Sequence, residues 1–213
     1  MKKNYIILII LIIIYFALKY FIPYGNYLVY PINLLVTFLH ELWHSIFAIL
    51  TWGQVKSVQV NLNGSGYAIT AGWISSFILI GGYIWSAIFG NILLYIWFKK
   101  KNLAQIFIYI LSALLILTAI IWFNSIIWSL ILFSLAWIIL SLSKNKEYDA
   151  LILQFLGITT LLYIIEDFNV WPSSDLEKFT EIFMIVPQFM WMIIWLVLVL
   201  WITAWNIKKM ITK

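Results

Sequence analysis

The chain holds two histidines, four residues apart, in His40-Glu41-Leu42-Trp43-His44. On a helix, residues four apart share a face, so both imidazoles can meet one metal ion. Glu41 lies about 100° round such a helix, close enough to reach a water beside that ion without ligating it. The chemistry needs this division of labour. An ion such as zinc polarises a carbonyl and lowers the pKa of its water towards ~7, and a carboxylate removes the proton. The motif therefore predicts metal-assisted hydrolysis, with His40 and His44 as ligands to one Zn2+ per chain and Glu41 as general base. The competing reading is a set of buried polar residues that hold helices together. It is weak in hydrocarbon, where ionisable groups are costly and usually functional.

Catalytic zinc normally takes three protein ligands. The chain contains no further histidine and no cysteine, so the third ligand is a carboxylate or comes from solvent. The candidates are Glu147, Asp149, Glu166, Asp167, Asp175, Glu177 and Glu181. The absence of cysteine also excludes disulfides, thiol nucleophiles and iron–sulfur clusters.

The elements that must position these groups follow from composition. Of 213 residues, 65% are hydrophobic and 10% charged, and the mean hydropathy is +1.03. A soluble domain has roughly 25% charged residues, so most of this chain has no water-facing surface to offer. At about 20 apolar residues per crossing, the expected fold is an all-α polytopic membrane protein of about seven transmembrane helices, with a short β-hairpin after the second. We expect a single integral-membrane domain over residues 1–213, with the motif-bearing core at about 28–98 and C-terminal helices at about 103–206.

The first span runs to about Ile22 and is read as uncleaved, because it is too long for a signal peptide and no small-residue cleavage site follows. The second, about Leu28 to Trp52, carries the histidines. Val55, Ser57 or Val58, and Val60, then Asn63-Gly64, then Tyr67 to Thr70 read as strand, turn and return strand. The third span, about Trp73 to Phe98, is interrupted by Gly81-Gly82 and stopped by Lys99-Lys100-Lys101. Leu103 to Leu142 is long enough for two crossings, with a turn near Phe123-Asn124-Ser125. A charged loop, Lys144 to Asp149, leads to a span at about Ala150 to Ile165. The acidic stretch Glu166 to Glu181 precedes the last span, about Ile182 to Asn206. Trp52, Trp73, Trp97 and Trp205 fall at expected headgroup positions. Counting crossings puts the hairpin and the Glu166–Glu181 stretch on one side. Glu147 and Asp149 fall on the other, as solvated loop charges beside the lysine triplet.

The stretch 38–44 resembles the zinc motif of the site-2-protease family of intramembrane metalloproteases, and more narrowly its M50B-like group. The similarity continues through Thr51-Trp52-Gly53-Gln54-Val55-Lys56-Ser57-Val58, the hairpin residues Asn63-Gly64-Ser65-Gly66, Thr70-Ala71-Gly72, and Gly82-Tyr83 with Ser86-Ala87 and Gly90. Its specific part covers about residues 36–95. Ser174-Asp175 with Pro187 resembles the family's C-terminal acidic motif, which implies Asp175 as the third ligand, with Asp167 as the alternative. Asp175 also has a plain structural reading: Ser174 with Glu177 fits a capping box, placing Asp175 in a first helical turn. The Asn-Pro-Asp-Gly and Leu-Asp-Gly signatures of better-known members are absent.

The resemblance implies an intramembrane zinc metalloprotease that hydrolyses a peptide bond in or near a transmembrane segment, with Glu41 activating a zinc-bound water. The hairpin of this family is thought to present substrate as an added strand, a physically reasonable way to hold an unwound peptide. The expected partners are the lipid bilayer and a transmembrane or membrane-associated protein substrate, with no nucleic acid. The alternative is a non-catalytic member of the fold, a membrane scaffold that binds partner helices. The expected location is a bacterial cell membrane, as a multi-pass protein. By the positive-inside rule, Lys99–Lys101, Lys144, Lys146, Lys208 and Lys209 lie in the cytoplasm and the hairpin outside. Lys2, Lys3 and Lys56 argue for the reverse.

Overall fold

Apolar runs about 20 residues long have no polar partner for their backbone in hydrocarbon except themselves, so they form helices. A computed structural model describes residues 2–72, 74–122, 124–167 and 174–211. Helix α1 (Lys2–Phe16) continues through a π-helical turn, Ala17–Phe21, and leads to α2 (Gly25–Leu50). The hairpin strands are β1 (Gln54–Val60) and β2 (Gly66–Ala71). Helix α3 (Ser75–Lys99) contains a second π-helical turn at Gly81–Trp85. Then come α4 (Ala104–Ile121), α5 (Ile126–Leu142), α6 (Lys146–Asp167), the short α7 (Ser174–Ile182) and α8 (Gln188–Ile211).

Among the described residues, five helices are long and apolar enough to cross a membrane, and Ile6–Phe21 and Ile126–Leu142 are shorter apolar helices. Together they account for the approximate seven crossings expected. Large apolar side chains such as Ile13, Ile120, Ile127, Trp137 and Trp201 face outward, as suits an integral membrane protein whose surroundings are lipid.

Helix α2 is the centre of the bundle. Its Leu35, Leu39 and Leu42 pack with Ile108, Leu115, Leu132 and Leu153 in one apolar cluster. Helices α3 and α6 cross closely at Gly90 and Gly157, where a methyl group on Gly157 would lie 2.8 Å from the Gly90 carbonyl oxygen. Small residues at such crossings let two backbones approach. A second cluster joins α3, α6, α7 and α8 around Tyr83, Phe179 and Trp195.

The hairpin is antiparallel, with Val60 opposite Gly66, Val58 opposite Ala68 and a bulge between Val55 and Ser57. Gly64 takes φ +89°, the left-handed region that glycine adopts without steric cost. The hairpin does not stand out from the bundle. It folds back along α2: the Thr37 hydroxyl donates to the Gly64 carbonyl at 2.9 Å, and the Tyr30 hydroxyl donates to the Leu62 carbonyl. Thr37 lies about 20 Å before the end of α2 at 1.5 Å per residue.

Several sequence expectations need correction. Helix α6 begins at Lys146, inside the expected loop, because the Asn145 side chain accepts hydrogen bonds from the Glu147 and Tyr148 amides. Asp149 is consequently a buried helical residue rather than a solvated charge, and neither of its oxygens has a hydrogen-bond partner among the described residues. Glu147 is solvated and pairs with Lys101. Trp97 is buried in the α2-centred core instead of lying in a headgroup belt. Trp52 is 90% exposed, and Trp205 is exposed with the Lys209 ammonium over its ring. Trp73 lies outside the described residues. The last span starts at Gln188, after Pro187, because Ile182 closes α7.

Candidate metal centre and cleft

Helix α2 is continuous through 40–44, so His40 and His44 project from one face as their spacing requires, only 6% and 5% exposed. Their Nε2 atoms lie 3.1 Å apart. The third corner comes from α7, where Asp175 Oδ2 lies 3.3 Å from His40 Nε2 and 3.0 Å from His44 Nε2. Donors held about 2.0–2.1 Å from a tetrahedral ion are about 3.3 Å apart, so the three atoms form a triangle of suitable size for zinc.

Helix α7 presents Asp175 because of its amphipathic pattern. Leu176 and Phe179 are buried, while Asp175, Lys178 and Glu181 line a cleft on the other face. An aromatic pile fixes its depth. Phe179 packs edge-on against Trp195, Trp195 against Tyr83, and Tyr83 edge-on against the His40 ring, with centroids 4.9, 5.2 and 4.9 Å apart.

Helix α3 shapes the other side. His44 Nδ1–H donates to the Ile78 carbonyl at 2.6 Å, which leaves the Nε2 lone pair of a neutral ring pointing to the triangle. His40 Nδ1 is buried with no hydrogen-bond partner among the described residues. The π-helical turn brings Gly82 against both rings, where a methyl group would lie 2.4 Å from each Nε2. The backbone thus leaves open the one volume on which the three donors converge. Convergent donors, an orienting carbonyl and a cradle that a Cβ would fill all fit a bound zinc ion.

A cleft of about 720 Å³ opens beside the triangle. Glu41, His44 and Asp175 line its floor, β2 and Gly72 one wall, and Lys178, Glu181 and Ile182 the other. Glu41 lies directly under the start of β2: a methyl group on Gly66 would be 2.8 Å from its Oε1. Among the described residues β2 pairs only with β1, so its other edge is free on the cleft side. The Asn61 amide donates to the Ser65 carbonyl. Alternation along an antiparallel ladder then directs the N–H and C=O of Gly66 and Ala68 to the free edge.

Of the other sequence candidates, Glu177 points away from the cleft lining and Glu181 lies at its outer wall. Glu147 and Asp149 belong to the far end of α6. The side chains of Glu166, Asp167 and Ser174 lie outside those described, so the alternative ligand and the capping hydrogen bond have no structural account. The Ile78 carbonyl has no signature in the sequence, Tyr83 is visible there only as a point of resemblance, and Gly82 both as a point of resemblance and as half of the glycine pair in the third span. The signal available for Gly82 was the glycine pair that interrupts an otherwise apolar span.

Comparison with known proteins bears on these features together. No curated protein and no solved structure matches the chain. The family model described as Peptidase M50B-like matches residues 6–206, nearly the whole length, and takes in the motif helix, the hairpin and the helix that carries Asp175. The chain belongs to the Peptidase M50B-like family.

Proposed function

We propose that the protein is an intramembrane zinc metalloprotease that hydrolyses a peptide bond in or near a transmembrane segment of a protein substrate. The observation that supports this reading best is the cleft itself, where Glu41 and the three-donor cluster face a free strand edge. His40, His44 and Asp175 would hold the zinc, which when bound supplies Lewis-acid polarisation of the scissile carbonyl. The chain's own groups do the rest. Gly66 and Ala68 pair with an extended substrate backbone through their outward N–H and C=O groups and hold it along β2. Glu41, under Gly66, takes a proton from the attacking water and returns it to the leaving amine. The Ile78 carbonyl fixes the tautomer and orientation of His44.

The test uses detergent-purified full-length protein with fluorescein-labelled β-casein, an unstructured chain able to add as a strand. Wild type is expected to carry about one zinc and to cleave, whereas Glu41→Gln retains the zinc and loses at least about a hundred-fold in kcat. His44→Ala and Asp175→Ala are expected to lose the metal. A zinc-loaded Glu41→Gln variant with full activity would remove Glu41 from its role. Wild type that binds zinc but cleaves nothing would favour a scaffold that binds partner helices.

A further inference from the structure

The hairpin forms the substrate-facing wall of the cleft, yet a two-stranded hairpin is marginally stable by itself. Its base is fixed by the short connection Thr51–Gly53, where the Gly53 amide donates to the Ala48 carbonyl at 2.7 Å. Its tip is held by hydroxyl groups. Thr37 Oγ1 lies 2.9 Å from the Gly64 carbonyl oxygen and 3.2 Å from the Tyr163 hydroxyl of α6. A carbonyl can only accept, and threonine has a single hydroxyl proton, so the direction of the chain is settled. Tyr163 donates to Thr37, and Thr37 donates to Gly64.

Thr37 lies one helical turn before Glu41, on the same face of α2. Gly66, the first residue of β2, touches both: a methyl group there would lie 2.7 Å from Thr37 Cγ2 and 2.8 Å from Glu41 Oε1. The depth at which β2 stands over the general base is therefore set where the tip is tied down. We propose that Thr37 and Tyr163 are positioning residues for peptide hydrolysis: their hydroxyl relay locks the hairpin tip to α2 and α6 and holds β2, with any strand paired to it, in register with Glu41. This rests on the protease reading of the same cleft. Displacements of about 1 Å in a reacting geometry can cost up to about a hundred-fold in rate. The free-edge N–H and C=O groups survive loss of the relay, so substrate still binds but is held out of register.

The experiment compares wild type with Thr37→Val, Thr37→Ser and Tyr163→Phe, using zinc content, kcat and KM on labelled β-casein. The mobility of a spin label at Ser65→Cys, next to Gly64 and beyond the Leu62 carbonyl that Tyr30 still holds, is the second readout; the chain has no cysteine, so that label is unique. Thr37→Val and Tyr163→Phe are expected to keep zinc and KM within about two-fold, to lower kcat about ten-fold and to mobilise the label. Thr37→Ser, which keeps the hydroxyl, is expected to restore both kcat and label immobility. An unchanged kcat in Thr37→Val, a loss confined to KM, or failure of serine to rescue would each overturn the proposal. Wild type that binds zinc but does not cleave would overturn the protease reading, and the role of the relay in hydrolysis with it. The label would then still report whether Thr37 ties the tip.

Discussion

At Gly82 the backbone of α3 passes so close to the two histidines that no side chain fits without displacing them. Alanine there would put its methyl group in the volume the three donors share. Gly82→Ala is therefore expected to reduce zinc content below about a tenth of wild type while helicity stays close to that of the parent, since the three atoms nearest the added methyl group all belong to the two imidazoles. Full zinc occupancy in that variant would show that the ion lies elsewhere. The contrast between Gly82 and the histidines also shows what one sequence reveals at this scale. His40, Glu41 and His44 were legible because their chemistry and their spacing lie within five residues. Asp175 was reached only through resemblance, because its contact with His40 spans 135 positions. The Ile78 carbonyl left no signal at all, since a backbone acceptor is the same at every position.

Among the elements, β2 bears the most specific consequence of register. Ala68 directs its N–H to the free edge, whereas the Ile69 N–H belongs to the ladder with β1. Proline is tolerated where the lost N–H faces outward and disruptive where it breaks a ladder bond. Ala68→Pro should therefore keep zinc and the hairpin yet raise KM for labelled β-casein about ten-fold. Ile69→Pro should unfold the hairpin. Equal KM values for Ala68→Pro and wild type would show that substrate does not add to this edge. The strands and their turn are readable from the valine-rich run at 55–60 and from Asn63-Gly64, because both signals are local. That the hairpin lies back along α2 is not, since it depends on Thr37 and Tyr30 meeting carbonyls 27 and 32 residues away. The early start of α6 is illegible in the sequence for a different reason: an asparagine among lysines looks like loop, and its capping role depends on the amides of Glu147 and Tyr148 that point at it.

On the scale of the whole molecule, hydropathy made the number of crossings legible but left their packing open. The apolar windows of α2 and α8 look alike in sequence, yet 72% of one is buried within the protein and 11% of the other. Helix α2 is enclosed because the hairpin, α3 and α6 all pack on it, while α8 touches mainly α3 and α7. The Asn206 side chain donates to the Asn91 carbonyl, and Asn91 donates to Thr203. Interhelical hydrogen bonds of this type contribute about 0.6 kcal/mol each in a bilayer. The Lys101–Glu147 pair brings two of the lysine clusters to one end, opposite the cleft mouth and the exposed Met184. The positive-inside rule predicts that end in the cytoplasm. Two single-cysteine variants, Asn102→Cys and Met184→Cys, test this in a chain that otherwise has no thiol. A membrane-impermeant maleimide should label Met184→Cys in intact cells and Asn102→Cys only after lysis. The reverse pattern would turn the cleft towards the cytoplasm, in accord with Lys2, Lys3 and Lys56, and substrates would then be segments exposed on the cytoplasmic side of the membrane.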